Sequence, residues 1–227
     1  MRARKGAITV GCMIVSHGRK FIFVHIPKTG GTALSLALEA RAQADDLLIG
    51  DTPKAQRRRH RLKDVKTAGR LWKHSTLSDG IGLYTPQQAR EYFTFTLVRN
   101  PWDRMVSYYH WLRTQRFAHP AVDLARRLDF SEFLHAEHTQ ASLKAAPYDS
   151  YMRGADSQPC CDLYIRLEHA QEDAAPLEAH LGFAITPFER HNFSIRASDW
   201  RGYYSDDAAE CVARLAASDI ARFDYSF

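Results

Sequence analysis

An α/β fold, a single domain with a central parallel sheet flanked by helices, is predicted by three features of this 227-residue chain. An almost unbroken apolar run at 21–26 leads through a glycine turn into an apolar helix. Two later runs, at 92–98 and 162–167, are also rich in β-branched, aliphatic or aromatic residues and are also followed by helical sequence. Strands that alternate with helices imply parallel pairing with helices on both faces. At 45% hydrophobic and 25% charged residues, the chain has enough apolar material for one ordinary core.

The elements follow in order. The run AITVGCMIV at 7–15, behind Arg2, Arg4 and Lys5, has the look of a leader but is too short to span a membrane. Removing it would cut close to the strand at 21–26, so no membrane anchor is expected. Met13 offers a start, and residues 1–12 read as a dispensable extension before a domain at 13–227. The strand at 21–26 is apolar nearly throughout, as burial on both faces requires. A helix is predicted from Thr32 to about 44, with Leu34, Leu38 and Leu48 near helical spacing. Residues 50–70 are polar and read as loop with some helix. Thr85 caps a helix that has Pro86 at its first position. After the strand at 92–98, Asn100 and Pro101 break the pattern. A helix then runs over 102–116, with Trp102, Met105, Val106, Tyr109 and Leu112 on one face. Short helices are predicted at 130–138 and 170–181, the latter opened or interrupted by Pro176. Ser205 caps the last long helix, which has Asp206 and Asp207 in its first turn.

Charge and cysteine usage narrow the function classes. The net charge is +5, from 31 basic and 26 acidic residues. The excess is concentrated between Lys54 and Lys73, where nine Lys or Arg stand against one acid, Asp64. That segment reads equally as a solvated loop or as an anion-facing surface. Cys12, Cys160, Cys161 and Cys211 have no metal-ligand spacing and do not form a disulfide framework, which points to a reducing, cytoplasmic compartment.

The stretch HIPKTGGT at 25–32 lies between a strand end and a helix start, where unpaired N–H groups and the helix dipole favour an anion. Gly30 and Gly31 permit close backbone approach and positive φ. Thr29 and Thr32 offer hydroxyls, and Lys28 a mobile charge. In nucleotide triphosphatases the lysine follows the glycines, as G-x-x-x-x-G-K-[ST], and here Lys28 precedes them. The second motif, RNPWDRMVSYYHW at 99–111, puts Arg99 at a strand's C-terminal end, where open α/β sheets bind ligands, and Ser107 eight positions later. By themselves these two also read as a helix-capping Arg and an interior Ser.

HIPKTGGT followed by VRNPWDRMVSYY resembles the sulfotransferase superfamily, in particular its carbohydrate-type branch, with the bacterial members and the heparan and chondroitin sulfate O-sulfotransferases. The resemblance continues through YIRLE at 164–168, HNFS at 191–194 and WRGYYSDDAAE at 200–210. It implies a co-substrate, 3′-phosphoadenosine 5′-phosphosulfate (PAPS), and no metal. Lys28, Thr29, Gly30, Gly31 and Thr32 would grip the 5′-phosphosulfate, Arg99 and Ser107 the 3′-phosphate, and Arg201 would close over the nucleotide. It also implies His74 as the catalytic base, with Lys28 stabilising the leaving 5′-phosphate. The glycan 2-O-sulfotransferases carry a further His two residues before their base. This chain has Trp72 there, a departure from the pattern of enzymes acting on uronic acids. Arg166 and Glu168 match a segment that holds the site together. The expected acceptor is a hydroxyl, possibly an amine, of a carbohydrate, and nucleic acid is not an expected partner. Two other readings stay open on residues alone: a P-loop nucleotide kinase, and a nonenzymatic polyanion binder acting through 54–73.

Overall fold

The computed structural model describes residues 11–188, 197 and 199–227. In chain order the strands are β1 (Cys12–Ser16), β2 (Phe21–Val24), β3 (Leu47–Gly50), β4 (Phe93–Val98) and β5 (Leu163–Arg166). The α-helices are α1 (Gly31–Ala40), α2 (Pro53–Arg58), α3 (Pro86–Glu91), α4 (Pro101–Arg113), α5 (Pro120–Arg127), α6 (Phe130–His135), α7 (Glu137–Ala145), α8 (Ala170–Asp173), α9 (Ala175–Leu181), α10 (Asp206–Leu215) and α11 (Ala217–Phe223). They fall into two compact units: a sheet unit, through Val98 and again from Tyr148 to 188, and a helical unit, Arg99–Pro147 with the described part of 192–227.

The sheet unit carries five strands in the order β3-β1-β2-β4-β5. β2, β4 and β5 are parallel, with Phe23 beside Phe95 and Leu97 beside Ile165. β1 runs antiparallel to both β2 and β3, so the predicted parallel strands are extended into a mixed sheet. The physical reason is the connection. Only residues 17–20 join β1 to β2, and so short a link can only reverse the chain. Alternate residues of β1 and β2 face opposite ways. Ile14, Phe21 and Phe23 join Leu34 and Leu38 of α1 in one buried cluster. Met13, Val15, Ile22 and Val24 join Leu77, Leu83, Tyr84 and Ala89 in another. Burial on both faces is why these strands read as continuous apolar runs.

Two further expectations change. α1 ends at Ala40, and Leu48 lies in β3 rather than on a helix extension. β1 begins at Cys12. Cys12 pairs with Gly50, is fully buried, and directs its thiol at Glu39 Oε1. The Gly11 N–H donates to Asp51 Oδ1. Residues 1–10 of the expected extension lie outside the described residues, as does HNFS at 191–194. α3 starts as predicted, with a capping box between Thr85 and Gln88 and Pro86 in its first turn. Pro176 sits at the start of α9, so the segment 170–181 is two short helices.

In the helical unit, Asn100 caps α4 through its side-chain oxygen. The predicted face of α4, Trp102, Met105, Val106, Tyr109 and Leu112, packs with Val122, Phe130, Phe133 and Val212. α5 and α7 were not legible as helices in the sequence. Trp102 Nε1 donates to the Ala209 carbonyl, and Tyr204 donates its hydroxyl to the Trp102 carbonyl. Among the described residues, no helix is long and apolar enough to cross a membrane, and all four cysteines are free thiols.

A chain begun at Gly11 is expected to melt with the full-length protein. One begun at Met13 loses the buried Cys12 and the Gly11–Asp51 hydrogen bond, and its Tm is expected to fall by about 5 °C. Equal melting of the two truncations in calorimetry would show that β1 does not depend on those residues.

Candidate functional site

The loop after β2 is shaped by two left-handed residues, Lys28 at φ 68° and Gly30 at φ 91°. A left-handed lysine is strained, by about 1–2 kcal/mol, and such strain persists only where the surroundings enforce it. Alternation of this kind turns successive N–H groups inward as a concave anion nest. α1 begins there with Gly30 as N-cap, without a side-chain cap and without an acid in its first turn. By contrast, Thr85, Asp129 and Ser205 fill the N-termini of α3, α6 and α10 with side-chain oxygens. No side chain closes the first turn of α1, the arrangement in which a helix N-terminus can meet an anion.

The two glycines serve different ends. Gly30 has the positive φ, and a Cβ there would also meet Leu167 Cδ1 at 2.6 Å. Gly31 has no positive φ; a Cβ there would lie 2.2 Å from the His25 ring. Thr29 is buried and donates its hydroxyl to the Ile26 carbonyl at 2.9 Å, so its main chain is what remains for an anion. Thr32 is also buried, in the first turn of α1.

His74 stands on a loop that is tied at several points. Ala68 and Gly69 donate to the carbonyls of Ile81 and Asp79. Ser75 Oγ accepts from the Trp72 N–H and donates to the Arg70 carbonyl. Leu77, deep in the core, donates its N–H to Tyr151 and accepts from the Tyr84 hydroxyl. This frame brings His74 to the end of β2, where its Nδ1 lies 2.8 Å from the His25 carbonyl. A carbonyl only accepts, so Nδ1 carries the proton and Nε2 presents a lone pair. The two imidazoles meet edge to face at 4.7 Å. Burial pulls the pKa of His74 down to about 4. The bond to His25 opposes this, and the Lys73 and Lys28 charges add to it. His25 is pushed well below the ordinary histidine value, first by burial, then by His74, Lys73 and Lys28. Both rings are thus neutral bases near pH 7. Lys73 pairs with Asp51 at 2.7 Å.

In the helical unit, Arg99 follows directly on β4. Its Nε and Nη2 both donate to Asp103 Oδ2, at 2.8 and 2.6 Å. Ser107 lies on the same helix one turn beyond Asp103 and is buried. Arg201 is exposed, 4.4 Å above the Trp200 ring and near Asp199. His110 packs edge-on against Tyr203 at 5.1 Å. Arg166 forms a two-pronged ion pair with Asp173, whose carboxyl that partner holds below its usual range. The next residue, Leu167, is the one that covers Gly30, so this ion pair steadies the loop after β2 from behind.

Sequence reasoning missed Asp103 as the partner of Arg99, although their i,i+4 spacing on a helix start was a usable signal. It also missed Asp51, which binds Lys73 and the Gly11 N–H; nothing local in the sequence marks that contact. The ring packing of His25 and its carbonyl make it the support of His74. Among the described residues, no group of three or more His, Cys, Asp or Glu is placed to hold a metal ion.

A family profile described as "Sulfotransferase family" matches residues 12–225. No curated protein matches the chain. Among solved structures, mouse sulfotransferase SULT7A1 complexed with PAP is similar at 14% identity and TM-score 0.45, over 90% of this chain and 84% of that one.

Because the pKa of His74 falls to about 4 from an ordinary 6.5, the unfolded chain binds more protons in that window. Stability is therefore expected to drop as pH falls from 6.5 towards 4. His74→Asn, which keeps an amide donor for the His25 carbonyl but cannot titrate, should flatten that drop in Tm. An identical pH profile in the two proteins would contradict the assignment.

Proposed function

Since the chain belongs to the sulfotransferase family, we propose that it moves a sulfuryl group from PAPS to a hydroxyl of a carbohydrate acceptor, without a metal. The observation that carries this reading is the bond from His74 Nδ1 to the His25 carbonyl. It fixes the tautomer that a general base needs, beside a helix N-terminus that no side chain caps. PAPS supplies the sulfuryl group: its S–O bond to the 5′-phosphate breaks as the acceptor oxygen bonds to sulfur, leaving PAP (3′-phosphoadenosine 5′-phosphate) and a sulfate ester.

Each residue has a share in that event. His74 Nε2 takes the proton of the acceptor hydroxyl as its oxygen becomes nucleophilic. Lys28 and the N–H groups of Thr29, Gly30, Gly31 and Thr32 receive the charge that gathers on the 5′-phosphate. Arg99 and Ser107 take the 3′-phosphate, with Asp103 fixing the plane of the guanidinium. Arg201 lies over the nucleotide in this reading. Burial, with the nearby lysines adding to it, keeps His74 unprotonated, so in this reading the base is ready at neutral pH. A carbohydrate acceptor is supported by the likeness of His74's position to the base of glycan 2-O-sulfotransferases. Four free thiols suit a reducing compartment, and the cytoplasm is the location this reading names.

PAP is expected to raise the Tm without added metal, by roughly 2.7 kcal/mol of stabilisation at a hundred times its Kd. ATP with Mg²⁺ should not; the reverse pattern would replace this reading with a kinase. Arg99→Ala should weaken PAP far more than adenosine 5′-phosphosulfate, which lacks the 3′-phosphate, and equal losses would remove Arg99 from that role.

His74→Ala should lower turnover by about 10²–10⁴-fold while PAP affinity is kept. Lys28→Ala should lose both, since its charge meets the phosphosulfate before and during transfer. A His74→Ala enzyme retaining more than about a third of the wild-type rate would rule this base out.

A further inference from the structure

The bond from His74 Nδ1 to the His25 carbonyl fixes one atom of the imidazole and leaves the ring to swing about it. Two other rings close on it. The His25 ring meets it at 4.7 Å with 67° between the planes, and the Trp72 indole at 5.0 Å with 88°. Both spacings are those of aromatic rings in contact. Two rings cannot share one space, so His25 and Trp72 cover different parts of the imidazole. The His25 ring cannot give way, because a Cβ at Gly11 or Gly31 would come within 2.3 and 2.2 Å of it.

Trp72 is held through its main chain. Its N–H donates to Ser75 Oγ at 2.9 Å, and its carbonyl accepts from the Ser75 N–H at 3.1 Å. Ser75 is fully buried and donates its hydroxyl to the Arg70 carbonyl. Leu71, the preceding residue, packs against the cluster that contains Met13 and Leu77. The indole itself is 49% exposed. The hold of this loop on the core therefore passes through main-chain bonds and Leu71, and the indole adds little to it. A half-exposed indole on an anchored backbone, in contact with the base, has another use.

We propose that Trp72 is a positioning residue for His74: its indole and the His25 ring clamp the imidazole in the orientation that the Nδ1 bond begins, and the indole keeps water from a part of the ring that His25 leaves open. This rests on the reading of His74 as the base. A base must be held near the proton it takes, and about 1 Å of misplacement can cost roughly 10²-fold in rate. One hydrogen bond and one immobile neighbour do not stop a ring from swinging away; a second wall does.

The clamp also bears on the charge of the ring. Burial acts first, and lowers the pKa of His74; the His25 carbonyl and Asp51 oppose it, and Lys73 and Lys28 add to it. The His25 ring beside it is itself held neutral by burial. Replacing Trp72 by another uncharged residue leaves every one of these charges in place. A change in the protonation of His74 then reports its cover and its orientation.

The test is NMR of the intact chain with 15N-labelled histidine, His74 being assigned from the signals that His74→Asn removes. The wild type should show one tautomer, with the proton on Nδ1. At about pH 5.5 its ring should be neutral, since its pKa is about 4. At about the same pH, Trp72→Ala should be protonated in at least roughly a quarter of the molecules, the proportion for a pKa raised by about one unit as water reaches the imidazolium. Its neutral form should be a mixture of tautomers. Trp72→Phe, which keeps an aromatic wall, should recover most of the wild-type signal. Both variants should melt within about 2 °C of the wild type and keep its PAP affinity. Ser75→Ala, which cuts the anchor beneath the indole, should lower Tm by more than that and alter His74 as Trp72→Ala does. The proposal falls if Trp72→Ala leaves the protonation and tautomer of His74 unchanged, since the indole would then serve something other than the base. It also falls if Trp72→Phe recovers nothing, or if Trp72→Ala melts as low as Ser75→Ala, which would make the indole a support of the loop. These signals are read without PAPS or acceptor. Loss of PAP stabilisation in the wild type would end the sulfotransferase reading and leave the clamp standing, whereas an unmoved His74 would end the clamp and leave that reading standing.

Discussion

The wedging of the His25 side chain between Gly11 and Gly31 is the constraint on which the site depends. A Cβ at Gly11 would come within 2.3 Å of the ring, and one at Gly31 within 2.2 Å. The approach to β1, the end of β2 and the start of α1 therefore converge on one buried imidazole. Nδ1 of that ring has no hydrogen-bond partner among the described residues, which costs stability. A polar ring kept in so tight a place sets the height of the main chain at the strand end. The His25 carbonyl, at that same point, accepts the hydrogen bond from His74 Nδ1–H. Position of loop, tautomer of base and start of helix are one packing problem.

Electrostatics follows from the packing. Two imidazoles 4.7 Å apart near two lysines cannot both be charged, and burial decides that neither is. Lys28 and Lys73 thus stand near two imidazoles that stay neutral. Lys73 is paired with Asp51, and Asp51 also holds the Gly11 N–H, so the same carboxylate closes the far side of the His25 cage. Removing any one of these groups alters both charge and packing, and mutations here are not additive.

A second buried network ties the loop after β2 and the start of α1 to the sheet. Cys12 and Thr52 both donate to Glu39 Oε1, and Ser35 bonds the carbonyl of Gly31 within α1 and that of Cys12 on β1. Burial, with Glu39 beside it, drives the Cys12 thiol well above its usual pKa, so it acts as a donor and not as a nucleophile. The helix α1 is thereby locked to the strand beside β2. A nest of N–H groups works only if its geometry is fixed before the ligand arrives.

The sequence by itself determined what is local. The strands β2, β4 and β5 announced themselves by apolar runs, and α3, α4 and α10 by their caps and periodic faces. The loop at 27–32 was legible because an anion site needs glycine, hydroxyl and lysine within a few residues of a helix start. Contacts distant in sequence were decided only in the tertiary structure. β1 was missed because the same apolar run fits a leader or an edge strand, and only pairing with β3 distinguishes them. Leu48 fits either a helix face or a strand, since a single apolar residue has no period. Gly31 read as a turn glycine until the His25 ring gave it another reason. The protonation of His74 depends on a carbonyl 49 positions away, and hydrogen bonds across that separation leave no periodic trace in the chain.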